Sequence, residues 1–359
     1  MKYPVKSLLY NLPGSSALSR AAAHANRGTP VILAFHGVTS EPPGHLCNYQ
    51  GKHLHLPTFA KFMEHLRERY TPVPLSRIAR WLEGKAVLPE KAVAVTFDDG
   101  YRNVLTNAAP VLNDLDIPAS VYVVSDFVKE GKMVWTDTIV SALSVTKKKR
   151  VEIELPGRKI DLPLENDAEK AAADGELRAL CKSLADSERV DLVARIVAAL
   201  GVDERELAAA WPDHEALAPE DLKTLVERGI EVGSHTRGHK ILTRCTPEET
   251  ERELAQSKSF IESATGKPCE EFSYPNGGRG DFDARTGEAA RRAGYRLAVT
   301  AIPMRVPRRH NPFEIPRYTL ADNRTTMAEF AAELSGYPGY IRALKRRFAG
   351  QRGSKRESR

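Results

Sequence analysis

The chain has little that would staple it or anchor it. Its 359 residues include four cysteines, Cys47, Cys181, Cys245 and Cys269, scattered with no C-x-x-C pair. That spacing argues against a disulfide framework and a structural zinc knuckle, and it suits a reducing compartment. Long apolar runs are also missing. A membrane span needs about 20 apolar residues, and a secretory leader needs an unbroken apolar stretch. The opening MKYPVKSLLYNLPGSSALSRAAAHANRG is interrupted at Asn11, Pro13 and Gly14. Acidic residues are absent before Glu41, and the end, IRALKRRFAGQRGSKRESR, is strongly basic. The expectation is a cytoplasmic protein with a basic N-terminal segment (1–29) and a basic, disordered C-terminal tail (341–359). Such ends could hold it weakly at an anionic membrane surface, the inner leaflet. Nucleic acid is not expected as a partner, because no interleaved aromatics and no recognition module accompany the basic ends.

What is present is an alternation of strand and helix. With 42% hydrophobic and 28% charged residues, the composition is that of a globular chain with a sizeable core. Strands are expected at VILAFHG (31–37), AVAVTF (92–97) and ASVYVV (119–124), with an amphipathic helix at 57–70. A helix over 103–116 should bend or restart at Pro110. Further strands are expected near 230, 271, 295 and 314, with a helix opening the segment 219–239, a helix over 247–266 ending at Gly266, and a helix opening the segment 284–300. About seven strands in this rhythm point to an α/β fold, a (β/α) barrel of mainly parallel strands. The rhythm breaks between about 126 and 218. There KKKRVEIELPGRKIDLPL reads as a β-hairpin turning at Pro156-Gly157, followed by Ala- and Glu-rich helices. The segment is expected to be an inserted α+β subdomain within a barrel domain spanning 30–340.

In such barrels chemistry sits at the C-terminal ends of the strands, and three expected ends carry unusual residues. VAVTFDDGYRN (93–103) sets Asp98 and Asp99 side by side after a buried strand, followed by Gly100. IEVGSHTRGH (230–239) places His235 and His239 four apart, so that both imidazoles can reach one cation. VILAFHG places His36 after the first strand. Two histidines and one carboxylate with open positions make a catalytic zinc arrangement, although non-haem iron uses a similar set. The adjacent aspartates then have a reason. One binds the cation, and the other stays unligated and can take a proton from water at the metal. Without a dication, two buried neighbouring carboxylates would repel and one would be driven to protonate.

TFDDG (96–100) together with SHTRGH (234–239) resembles the polysaccharide deacetylase family, the NodB-homology carbohydrate esterases, over roughly 30–125 and 217–320. The resemblance implies a distorted (β/α) barrel and, with the His36 context, a bacterial exopolysaccharide-type member carrying an insertion. It implies a divalent metal ion, commonly zinc, held by Asp99, His235 and His239, with Asp98 as catalytic base and Thr236 shaping the histidine loop. The family's third motif is usually R-x-P-Y. Here SYPNGG aligns Pro275, but Ser273 stands for the Arg and Asn276 for the Tyr. The Asn276 backbone N–H can still serve as an oxyanion donor. Arg317 is the candidate to replace the missing Arg, with Arg279 behind it. No terminal L-x-x-H motif supplies the general acid. His36 is the candidate, a satisfied core histidine being the other reading, and His310 reads as a surface residue. Tyr274 and Trp135 are further substrate-side candidates. Trp135, with Asp137 beside it, is either a sugar-stacking aromatic with a polar partner or an anchor for the insertion.

The implied reaction is hydrolytic removal of N-acetyl groups from an N-acetylated polysaccharide or lipid-linked glycan. O-deacetylation or hydrolysis of a small cyclic amide at the same site is the alternative. A catalytically silent glycan-binding protein is the alternative of another class.

Overall fold

The computed structural model describes residues 28–155, 157–320 and 325–335. The basic ends singled out in the sequence lie outside the described residues, apart from the last two positions of the N-terminal segment. In chain order the strands are β1 (Val31–Phe35), β2 (Gly37–Thr39), β3 (His53–His55), β4 (Thr71–Pro72), β5 (Ala92–Phe97), β6 (Ala119–Val123), β7 (Arg150–Leu155), β8 (Arg158–Pro163), β9 (Glu231–Ser234), β10 (Glu271–Ser273), β11 (Leu297–Val299) and β12 (Tyr318–Thr319).

One all-parallel sheet runs in the order β11-β10-β9-β6-β5-β1-β12, with β4 beside the start of β5. Its seven-strand path contains the seven strands expected from the sequence, and β4, two residues beside the start of β5, is an eighth that the periodicity did not show. Ile315 pairs with Val299 of β11, and Thr319 pairs with Ala34 of β1. A single five-residue stretch therefore links both ends of the sheet path. The result is a distorted (β/α) barrel.

Side chains alternate along each strand, and the two faces bury different things. Val31, Leu33, Phe35, Val93, Val95, Phe97, Val121 and Val123 pack outward against helix residues such as Phe59, Phe62 and Leu112. Ile32, Ala94, Tyr122, Leu297 and Val299 share an inner cluster. Because every strand is parallel, all the strand C-termini reach the same rim. The inward register of Ala92, Ala94 and Thr96 carries on to Asp98, which fixes the direction in which that carboxylate enters the barrel. After β5 the helix restarts at Pro110, one of the two expected outcomes. A π-turn covers Val104–Ala108, and the α-helix Ala109–Asp114 starts with the proline in its first turn. There the missing N–H costs nothing.

The insertion has a core of its own. The hairpin forms, with Leu155 paired to Arg158 and Gly157 in the left-handed region at φ 70°. Helices Trp135–Val145, Asp167–Ser183 and Asp186–Leu200 pack with it around Ile139, Leu143, Val151, Ile160, Leu177, Leu192 and Ile196. No helix among the described residues is long and apolar enough to cross a membrane.

The far end of the barrel holds a second pair of carboxylates. Glu271 on β10 is buried and accepts from the Tyr122 hydroxyl at 3.2 Å, while Glu231 on β9 accepts from Ser120 at 3.1 Å. Burial, and then the Glu231 charge, hold the Glu271 carboxyl well above its usual range. A raised folded-state pKa means that stability is fully present at low pH and is lost as pH rises and the unfolded chain releases this proton first. Glu271→Gln cannot release it. The variant is expected to unfold at a higher temperature than wild type at pH 7–8 and at the same temperature near pH 4. A Gln variant that melts lower at pH 8 would overturn this account of the pair.

Candidate metal and catalytic site

The site forms on the rim where β1, β5, β9, β10 and β11 end. Asp98 and Asp99 follow β5, His235 follows β9, Asn276 lies three residues beyond β10, and His36 follows β1. With Lys52, these five line one pocket together with His239. The backbone there is unusual. Of the six non-glycine residues with positive φ among those described, four are Asp99 (75°), Thr236 (64°), His239 (54°) and Asn276 (59°). Such conformations cost about 1–3 kcal/mol each and persist only where surrounding contacts impose them. Gly100 continues the turn at φ 94°, and a Cβ there would sit 3.0 Å from Val123 Cγ1. The turn at Asp99 and Gly100 breaks the strand alternation, so Asp98 and Asp99 enter the same pocket instead of opposite faces.

Asp99 Oδ1 lies 3.5 Å from His235 Nε2 and 3.5 Å from His239 Nε2. All three ligand-type atoms fall within 4.8 Å of one another, and all three residues are buried. A tetrahedral site with bonds of about 2.0–2.2 Å has ligand–ligand edges of about 3.3–3.6 Å. The two 3.5 Å separations are such edges. Asp99 Oδ1 is buried and has no hydrogen-bond donor, which is costly unless a cation completes it. The His235 Nδ1 contacts Ser273 O at 2.7 Å, and donating its N–H there leaves Nε2 as the free lone pair. Burial pushes His239 down to about 3, which keeps the ring neutral and available as a ligand. The residues present therefore fit a divalent ion. The two histidines converge through a turn with Thr236 and His239 in the left-handed region, not through a helix. Glu253 holds that turn, accepting from the amides of Arg237 at 3.0 Å and Gly238 at 2.7 Å.

Asp98 is held from the other side. Arg317 donates to Asp98 Oδ1 at 2.9 Å and to Oδ2 at 2.7 Å. Its remaining N–H groups reach Thr300 O at 3.1 Å, Thr96 Oγ1 at 2.9 Å and Ser273 Oγ at 2.9 Å. All five donors of the guanidinium are used, at 1% exposure. Ser273, standing where the family motif has Arg, is thus a partner of the arginine that arrives from just before β12. Burial, the largest single influence, would raise the Asp98 carboxyl, but Arg317, together with His235 and His36, more than offsets it and holds the group below its ordinary range, as an anion.

Of the other expected residues, only His36 joins the site. His36 lies in the pocket, its Nδ1 has no partner, and burial lowers its pKa against the opposing pull of Asp99. Tyr274 does not reach the pocket. It is buried against Phe272 and Phe282, and its hydroxyl donates to Phe313 O at 3.1 Å. Pro275 is buried beneath the turn, and its carbonyl accepts from Gly277 N at 2.8 Å. Trp135 does not reach the pocket either. It packs in the insertion core with the Arg189 guanidinium 5.3 Å from its ring centre, which is the placement of an anchor. Arg279 is exposed on the far side of the turn, and His310 Nε2 contacts Glu314 O at 2.8 Å, away from the site.

Lys52, Asp137 and Glu253 were not among the sequence candidates for the site. Asp137 was noticed only as a neighbour of Trp135, and nothing in NYQGKHLHLP distinguishes Lys52 from a surface lysine. Lys52 Nζ lies 2.8 Å from Asp99 Oδ2 and 2.9 Å from Asp137 Oδ1. Burial would raise the Asp99 carboxyl, but Lys52 and the histidines more than offset it and hold it well below the usual carboxylate range.

A family model described as polysaccharide deacetylase matches residues 85–174 and 186–298. The Bacillus subtilis (strain 168) protein YxkH, named for the same family, is 26% identical over 129 residues, 36% of this chain and 42% of that protein. The poly-beta-1,6-N-acetyl-D-glucosamine N-deacetylase of Escherichia coli (strain K12) is 46% identical over 55 residues, 15% of this chain and 8% of that protein. The matched segments thus span less than half of either relative. Among solved structures, the Streptococcus pyogenes deacetylase PplD superposes with a TM-score of 0.57 at 15% identity, covering 85% of this chain and 98% of its own. The Bacillus cereus polysaccharide deacetylase BC0361 gives 0.53 at 20% identity, covering 86% and 69%. At these identities the superpositions establish the fold.

Proposed function

The chain belongs to the polysaccharide deacetylase family, and from that premise we propose that it is a metal-dependent hydrolase removing N-acetyl groups from an N-acetylated polysaccharide or lipid-linked glycan. The observation that carries the reading is the division of labour between two adjacent carboxylates. Asp99 faces two imidazole nitrogens, and Asp98 faces an arginine on its inner side. A divalent ion held by Asp99, His235 and His239, commonly zinc in this family, would supply an acidified water and Lewis-acid polarisation of the acetamide carbonyl.

The chain's own residues do the rest. Asp98 accepts the proton of the attacking water, and Arg317 keeps it ionised and oriented for that task. The backbone N–H of Asn276, carried into the pocket by its left-handed turn, donates to the oxygen of the acetyl group as negative charge builds there. Burial leaves the His36 ring neutral at rest, so it first takes up the proton that Asp98 removed from the water and then passes it to the departing amine, and the C–N bond breaks to release acetate and a free amino sugar. The N-acetylglucosamine polymer named for the Escherichia coli relative supports this substrate class. Acetate release from N-acetylglucosamine oligomers, abolished by a chelator and restored by added metal, is the test. Chelator-insensitive release would sink the metal reading.

His36 has its own expected result. His36→Ala should lower amide hydrolysis by about 10²–10⁴-fold, the usual worth of a positioned proton donor. Hydrolysis of an activated acetate ester should fall much less, since its leaving group needs no proton. Metal content should be unchanged. Equal losses on the two substrates would reduce His36 to a packing residue.

A further inference from the structure

The metal-ligand candidate Asp99 has two oxygens in very different surroundings. Oδ1 faces the histidines and has no donor. Oδ2 is held by the Lys52 ammonium at 2.8 Å and stands 3.1 Å from the Tyr101 hydroxyl. Lys52 does not belong to Asp99 alone. Its ammonium also meets Asp137 Oδ1 at 2.9 Å and the Tyr101 hydroxyl, which in turn donates to Asp137 Oδ2. Asp137 is 1% exposed and sits in the first turn of helix Trp135–Val145. That helix packs into the core of the insertion on its other face. Two carboxylates, one from the barrel and one from the insertion, therefore share one largely buried cation.

We propose that Lys52 and Asp137 are positioning residues that present Asp99 to the metal through Oδ1 alone, so that the insertion tunes the affinity of the metal centre. The inference rests on the metal reading given above. Its physical content is a division of charge. With Asp137 in place, the Lys52 ammonium is neutralised mainly from the insertion side and leaves Asp99 free to donate to a dication. Without Asp137, Lys52 has Asp99 as its one carboxylate partner, draws on it more strongly, and adds an uncompensated positive charge beside the ion. Both effects weaken metal binding. The Lys52 ammonium on Oδ2 also fixes the carboxylate plane, so the ion need not pay to order it.

The test is metal affinity, read without activity. Zn²⁺ is titrated against a chromophoric chelator with the full-length wild type, with Asp137→Asn, and with the charge-balanced pair Lys52→Met/Asp137→Leu. Melting in excess chelator reports the fold of each metal-free chain. Asp137→Asn is expected to weaken Zn²⁺ binding by about 10–100-fold, the usual cost of losing an outer-shell partner. The balanced pair removes no net charge and no longer orders Asp99, and it is expected to lose about 10-fold. The second variant also covers the case in which an unpaired Lys52 prevents Asp137→Asn from folding. Binding within twofold of wild type in a folded variant would overturn the inference and leave the metal reading standing. A wild type that binds no ion would overturn both.

Discussion

Asp98→Asn is expected to retain its metal and lose about 10²–10⁴-fold in turnover, whereas Asp99→Asn is expected to lose the metal itself. The two residues are adjacent and both carry a carboxylate, so the contrast isolates position. Asp99 Oδ1 is the oxygen facing His235 and His239, and Asp98 has both oxygens on Arg317. Asn at 98 keeps the shape and a carbonyl acceptor but cannot take a proton from water. It also leaves the buried guanidinium without its anion, so turnover must be expressed per folded, metal-loaded molecule. Metal content by elemental analysis and acetate release on the same preparations decide the matter. Equal metal loss in the two variants would make Asp98 a ligand and end its role as the base.

The second large effect concerns that guanidinium. Removing one partner of a buried ion pair costs about 3–5 kcal/mol, because the survivor is left charged and unpaired. Arg317→Met should therefore destabilise the chain by about this much, and turnover should fall as Asp98 loses its orientation. Arg317→Lys keeps the charge but cannot make the two-pronged contact, and should recover only part of either loss. In the double variant Asp98→Asn/Arg317→Met neither charge remains, so the summed losses of the single variants should exceed the loss measured for the pair. Denaturant unfolding of the four proteins closes the cycle. A cost below about 1 kcal/mol for Arg317→Met would place the pair in water-accessible surroundings, contrary to its burial.

Several features were legible from sequence for identifiable reasons. The seven long-path strands were visible because a buried parallel strand needs a continuous run of β-branched and apolar residues, as in Val31–Phe35 and Ala92–Phe97. The hairpin at Gly157 and the break at Pro110 were visible because backbone chemistry acts locally. TFDDG and SHTRGH were visible because ligands carried on one strand end or one turn must be close in sequence. Tyr274 reads as a substrate-side residue because it sits beside a motif, and Trp135 reads either as a sugar-stacking residue or as an anchor. An aromatic near a motif reads as a site residue, and only packing shows that one fills the insertion core and the other the barrel wall.

By itself the sequence determined the type of barrel, the strand ends that carry chemistry, and the three candidate ligands with Asp98 beside them. Tertiary structure chose Arg317 over Arg279, the two arginines the sequence offered for Asp98, and it alone set Lys52 between Asp99 and Asp137. Arg317 reaches Asp98 across 219 residues, and Lys52 reaches Asp137 across 85. Neither pair leaves a spacing to read: Arg317 was offered only because the motif's own Arg is missing, and Lys52 had no signal at all. The partners are chosen by barrel closure, which brings Arg317, just before β12, in under β5, and by the docking of the insertion, which sets Asp137 opposite Lys52. The charge of each residue is written in the chain. The low-dielectric neighbourhood that gives the charge its effect exists only once the chain has folded.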